Sequence, residues 1–140
     1  MQGAKLTAFE LNYEDIPVKI ITDNTAGFLM KKGLVDKVIV GADRILKDYT
    51  VFNKIGTYSL AILARYHNIP FYVAAPLSTF DFKNSLNDIE IEERDEKEVL
   101  FIDRIRIAPE GVGVYNYAFD ITPPELITGI ITEREIIYNK

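Results

Sequence analysis

The chain of 140 residues is 48% hydrophobic and 26% charged, the balance of an ordinary globular domain with length for one core. Its net charge of -5, with lysines and arginines scattered, offers no basic stripe to a nucleic-acid backbone, and no apolar run approaches the roughly 20 residues a membrane span needs. With no cysteine and a single histidine, His67, the sequence excludes disulfides, thiolate or His-cluster metal sites and a cysteine nucleophile; residues 1–15 lack a signal-peptide pattern, which sets a cytoplasmic expectation.

Residues 2–11 (QGAKLTAFEL) carry apolar side chains at 6 and 9, which predicts a helix. Gln2 and Gly3 stand at its positive end, where backbone N–H groups are unpaired; by pattern alone Gln2 is simply a frayed residue. Residues 16–21 (IPVKII) predict a strand, and Thr22-Asp23-Asn24-Thr25 supplies turn and cap oxygens for a short helix over 26–32, ended by Gly33. A strand over 37–41 completes a βαβ unit, for which parallel strands and a right-handed crossover are expected.

Where that strand ends, Gly41-Ala42 is followed by Asp43 and Arg44, at the side of an open α/β sheet where ligands bind. Residues 47–50 read as a turn and Val51-Phe52 as a short extended piece. A helix opening at Asn53 or Thr57 runs to about Tyr66, so Asn53 and Lys54 lie at its mouth with Gly56 beside them. His67 ends this helix and reads as a capping or partly buried structural group. Residues 69–75 (IPFYVAA) are continuously apolar, which predicts a central strand covered on both faces.

The loop over 76–87 lies on the same ligand side, and its Asp81 fits either a ligand contact or, by pattern, a turn cap. Residues 90–98 (EIEERDEKE) read as a solvated charged segment, with an ion-pair network among Glu92, Glu93 and Arg94 as the alternative. Strands are predicted over 99–102 and 112–117 around a Pro109-Glu110-Gly111 turn. Thr122-Pro123-Pro124-Glu125 resembles a capping box, so a final helix is predicted with Leu126, Ile127, Ile130 and Ile131 on one face and Asp120 structural at its start. Together these elements predict an α/β fold in three αβα layers, Rossmann-like, with a mostly parallel sheet and helices on both faces.

Among the polar residues, Asp43 is the best acid/base candidate, because partial burial after a core strand can raise a carboxyl pKa towards a working value. Arg44 opposes this. Pointed at Asp43, it makes a structural ion pair; pointed elsewhere, it leaves Asp43 able to carry a proton. Lys54 at a helix N-terminus suits a phosphate or a carboxylate, without a full glycine-rich fingerprint.

The segments GADRI (41–45), NKIGTY (53–58), IPFYVAAPLSTFD (69–81), IEERD (91–95), AFDITPPELIT (118–128) and IITE (130–133) resemble the C-terminal half of the 5-methylthioribose-1-phosphate isomerases. QGAKLTAFEL is similar to that family's QGARLTAWEL. The resemblance implies an aldose–ketose isomerisation of a phosphorylated methylthio-sugar, with no metal and no dissociable cofactor. Asp43 then matches the family's proton donor, and Gln2, Asn53 and Lys54 match its substrate-binding residues. It also implies a homodimer. The family carries a further N-terminal domain, with an arginine-glycine loop, another substrate arginine and an active-site cysteine; this chain resembles the other half, which sets an expectation of little activity alone and fits three origins, a domain fragment, a split enzyme with a separate N-terminal half as partner, or a decayed gene product. Departures are Tyr49 where the family usually has glycine, Tyr117 where it has proline and Glu135 where glycine is common. Ribose-1,5-bisphosphate isomerase is the nearest rival, and the non-catalytic regulatory subunits of the translation-initiation exchange factor share the expected fold.

Overall fold

The computed structural model describes residues 3–138. A π-helical turn, Gly3–Thr7, leads into α1 (Ala8–Tyr13), and a 3-10 turn, Asp23–Thr25, leads into α2 (Ala26–Lys31). There follow β1 (Val38–Val40), β2 (Arg44–Leu46), β3 (Val51–Lys54), α3 (Thr57–Tyr66), β4 (Phe71–Ala74) and β5 (Phe80–Asp81). The last third contains α4 (Lys97–Leu100), β6 (Phe101–Ile102), β7 (Ile105–Arg106), β8 (Phe119–Thr122), β9 (Gly129–Ile131) and β10 (Ile136–Tyr138). Among the described residues no helix is long and apolar enough to cross a membrane.

The fold is α/β, but its strands are divided between two mixed sheets instead of one mostly parallel sheet. In the first, β1-β4-β9-β10, the first three strands are parallel and β10 is antiparallel to β9. In the second, β5-β2-β3-β8, β3 runs antiparallel to β2 and to β8, while β5 is parallel to β2. The short hairpin β6-β7 stands apart as a third. β4 takes the interior position that its unbroken apolar run predicts, with Phe71 and Val73 almost completely buried. Ala61 and Ala64 of α3 are buried to the same degree; small side chains there let the helix approach Ile45, Val51, Phe71 and Ile130 in one core.

Four predicted elements differ. The 16–21 segment is not a strand: Ile16, Ile20 and Ile21 are exposed, and among the described residues no strand pairs with them, so β propensity has no ladder to stabilise it. Residues 112–117 lack regular structure apart from one bridge, Glu93 to Tyr117, and residues 99–102 split between the end of α4 and the start of a hairpin. The final helix is replaced by a 3-10 turn, Pro124–Leu126, and by β9 and β10. Ile127, Ile130 and Ile131 fit a helical face as well as a strand, and pairing with β4 decides in favour of the strand. Gly129 fits this site because a side chain there would stand 3.2 Å from the carbonyl of Ile137 on the neighbouring strand.

At the turn between β2 and β3, Tyr49 adopts φ +68°, the left-handed conformation that glycine takes without steric cost. This is the position where the resembling family usually has glycine. The tyrosine ring instead packs edge-on against Phe80, with centroids 6.5 Å apart, while the Asp48 carboxylate accepts the Thr50 N–H to close the turn.

Candidate active site

β1 ends in a short link, Gly41-Ala42-Asp43, through which the chain leaves the first sheet and enters the second at Arg44. The Asp43 N–H donates to the Phe52 carbonyl at 2.9 Å, and Arg44 pairs with Phe52 in the β2-β3 ladder. Continued by one residue, that antiparallel register sets Asp43 opposite Asn53. The backbone thus joins the two segments that the sequence reading selects.

The 77–84 loop follows β4, which is the parallel neighbour of β1. Its residues meet Asp43 across an open cleft of about 410 Å³, lined by Asp43, Arg44 and residues 78–83. The cleft lies beyond the C-terminal ends of adjacent parallel strands, the usual ligand position in open α/β sheets. The Leu77 N–H donates to the Glu133 carboxylate at 2.9 Å, which fastens this loop to the turn after β9.

Within the cleft Arg44 does not face Asp43. Its Nη1 donates to Asp81 Oδ2 at 2.6 Å, with 40% of the arginine side chain and 17% of the aspartate exposed. Asp81 is heavily used: Oδ1 accepts the N–H groups of Lys83 and Asn84 at 3.0 Å each, and Oδ2 accepts the Asn84 side-chain amide at 2.7 Å. Those bonds, the Asn84 amide foremost, hold its carboxyl down at about 2, and Arg44 adds a smaller electrostatic pull. The turn-cap reading of Asp81 therefore holds, and its pairing with Arg44 is new. Asp43 is exposed, in contrast to the partial burial that the sequence predicts, because the described residues leave the mouth of the cleft uncovered. Its carboxylate has no side-chain partner among the described residues.

Asn53 and Lys54 close β3 at the mouth of α3. The Asn53 amide donates to Thr57 Oγ1 at 2.9 Å, and that hydroxyl donates to the Lys54 carbonyl at 2.8 Å. Lys54 Nζ stands 5.1 Å from the centre of the Phe119 ring, a cation–π distance. An anion already sits at the helix mouth, and it belongs to the chain itself. Asp120, opposite Asn53 in the β3-β8 ladder, accepts the N–H of Gly56 at 2.7 Å and of Tyr58 at 3.1 Å. Burial raises its carboxyl pKa, and the two N–H bonds oppose that shift. Gly56, at φ +105°, turns the backbone so that these N–H groups face the carboxylate. Asp120 is structural, as predicted, but it caps α3 instead of a following helix.

The site residues predicted from sequence thus fall into two groups. Asp43 lines the cleft; Asn53 and Lys54 stand one ladder step away and do not line it. Gln2 lies outside the described residues. His67 ends α3, half-buried, with its ring edge-on to Tyr66. In the charged segment, Arg94 binds Glu98 through both its Nε and Nη2, at 2.8 and 2.6 Å, in place of an internal Glu92–Arg94 network. Among the described residues, no three His, Cys, Asp or Glu side chains are grouped to hold a metal.

Comparison with known proteins places the chain in a family. A family model described as Initiation factor 2 subunit family matches residues 1–138. The putative methylthioribose-1-phosphate isomerase of Methanocaldococcus jannaschii is 77% identical over 137 residues, which are 98% of this chain and 42% of that protein. The crystal structure of 5-methylthioribose 1-phosphate isomerase from Pyrococcus horikoshii OT3 superimposes with a TM-score of 0.91 at 54% identity, covering 98% of this chain and 38% of that one. The crystal structure of translation initiation factor eIF-2B, subunit delta, from A. fulgidus gives a TM-score of 0.92 at 55% identity, covering 98% of this chain and 40% of that one. The chain therefore spans about two fifths of the length of these relatives.

Proposed function

This chain belongs to the initiation factor 2 subunit family, and from that premise we propose that it forms the sugar-phosphate domain of a methylthioribose-1-phosphate isomerase. The reaction is the conversion of an aldose 1-phosphate to the ketose 1-phosphate in methionine salvage. Phosphate on C1 keeps the sugar ring closed, so opening it requires a proton on the ring oxygen as the bond from C1 to that oxygen breaks. Asp43 supplies this proton. The hydrogen on C2 then moves to C1, by an enediol or a hydride route, as the C2 hydroxyl becomes the carbonyl, and the proton that this hydroxyl gives up returns to Asp43. Asn53 and Lys54, with Gln2, bind the hydroxyl and phosphate oxygens, Lys54 leaving the Phe119 ring to do so.

One observation supports the assignment above the others: Asp43 projects into a cleft at the ends of β1 and β4 while the adjacent arginine is engaged by Asp81. Identity of 77% to a relative named for this activity supports the choice of substrate. Because the chain spans about two fifths of its relatives, turnover in this reading needs the remaining length. In the whole protein we place the parallel strands β1, β4 and β9 at the centre of a Rossmann-like αβα domain, paired as a homodimer in the cytoplasm.

The second reading, a non-catalytic translation-factor subunit, is favoured by the likeness to the A. fulgidus structure. Chemical-shift mapping separates the two. With methylthioribose 1-phosphate we expect saturable shifts at Asp43, Asn53 and Lys54, weaker ones with ribose 1,5-bisphosphate, and loss of binding in Lys54→Met. Absence of any saturable shift would remove the isomerase reading and leave the subunit reading.

A further inference from the structure

Asp43 and Arg44 are consecutive and line the same cleft, which places a cation and a carboxylate side by side in the chain at its wall. In the structure it turns away to Asp81, 37 positions along the chain. Asp81 is fixed by three further bonds from Lys83 and Asn84, so it is a rigid acceptor and not a passing partner. We propose that Asp81 is a positioning residue that holds Arg44 off Asp43 and so keeps Asp43 free to carry the proton it donates. The inference rests on the proton-donor reading of Asp43 and adds the device that maintains it.

The charged groups facing Asp43 limit the alternatives. Within the cleft they are Arg44, Asp81 and Lys83, and the charge carried by β3 is Lys54, drawn towards Phe119. An unpaired cation moved to within about 4–6 Å of a carboxylate lowers its pKa by roughly 1–3 units. Released from Asp81, Arg44 would therefore be free to pair with the Asp43 carboxylate and disfavour its protonated form. Asp81→Asn is the informative substitution, because an asparagine oxygen still accepts the N–H groups of the 83–84 turn.

Side-chain carboxyl carbon NMR of the 140-residue chain follows the titration of Asp43 directly in the wild type, D81N, R44Q and D81N/R44Q. We expect the Asp43 midpoint to fall by about 1 unit or more in D81N. In the double variant it should return to the R44Q value, because no guanidinium is left to swing. Dispersed amide resonances report folding, and Asp81→Ser replaces D81N if that variant does not fold. An unchanged Asp43 midpoint in D81N would overturn the proposal. So would a fall of equal size with and without Arg44, which would mean only that a neighbouring negative charge had been lost. The titration needs no substrate, so its failure leaves the isomerase reading standing, and failure of sugar-phosphate binding leaves the arginine brace standing.

Discussion

Asp81 shows how one side chain can serve both turn and cleft. Its carboxyl is held from an ordinary 3.8 down to about 2, first by the Asn84 amide, then by the N–H groups of Asn84 and Lys83. A depressed folded-state pKa means that the ionised group contributes stability above its unfolded value, and that this contribution is lost as pH falls through about 2. Urea midpoints followed from about pH 5 to about pH 2 should fall more steeply for the wild type than for Asn84→Ala, which lacks the largest cause of the shift. Parallel curves would show that Asn84 does not set the Asp81 titration. Of this cluster, the sequence made legible that Asp43 marks a strand end and that Asp81 suits a turn. It could not show that Arg44 reaches Asp81, nor that Asp120 caps a helix 64 positions away, because both contacts depend on how strands pair. Tyr49 is an intermediate case: a glycine-preferring position was identifiable, and the left-handed backbone confirms it, while the Phe80 contact that offsets part of the strain was not.

At the level of elements, burial separates what sequence could and could not decide. β1, α3 and β4 were legible because a short apolar run or a broad helical stripe has one interpretation, although the strands are covered on one face only: Ile39 of β1 and Ala74 of β4 are exposed. The segment 126–131 has two, since its isoleucines satisfy both periods, and only pairing with β4 resolves them. Ile130 is 2% exposed at the centre of that pairing, so Ile130→Ala should cost about 2–5 kcal/mol in urea unfolding, whereas Ile105→Ala, on the exposed hairpin, should stay within about 0.5 kcal/mol of the wild type. A loss below about 1 kcal/mol at Ile130 would place it outside the core. On β8, Thr122 is fully buried and its hydroxyl has no hydrogen-bond partner among the described residues. An unpaired buried hydroxyl costs about 1–3 kcal/mol, and valine keeps the shape without it, so Thr122→Val should raise stability by about 1 kcal/mol. A destabilised variant would mean that this hydroxyl is bonded in solution.

Over the whole molecule, apolar side chains are concentrated where the described residues do not cover them. Leu6, Phe9 and Tyr13 of the first helical segment, Ile16, Ile20 and Ile21 after it, and Ile39 of β1 are each about half exposed or more. Exposure on this scale marks contact surfaces, and it accompanies a chain that spans about two fifths of its relatives. It also explains why 16–21 reads as a strand in sequence and yet is unpaired: the signal of an apolar β-branched run is intact, while no strand among the described residues pairs with it. The same reasoning applies to the cleft, where Asp43 has its predicted place in the chain but not its predicted burial.

The central claim is that Asp43 delivers the proton that opens the sugar ring. Its most direct test is turnover of methylthioribose 1-phosphate by this chain supplemented with the complementary portion of its Methanocaldococcus jannaschii relative, compared between wild type and Asp43→Asn. We expect the wild type to form the ketose phosphate and the variant to lose about 100-fold or more in kcat while KM changes little. Turnover by Asp43→Asn at the wild-type rate would contradict it.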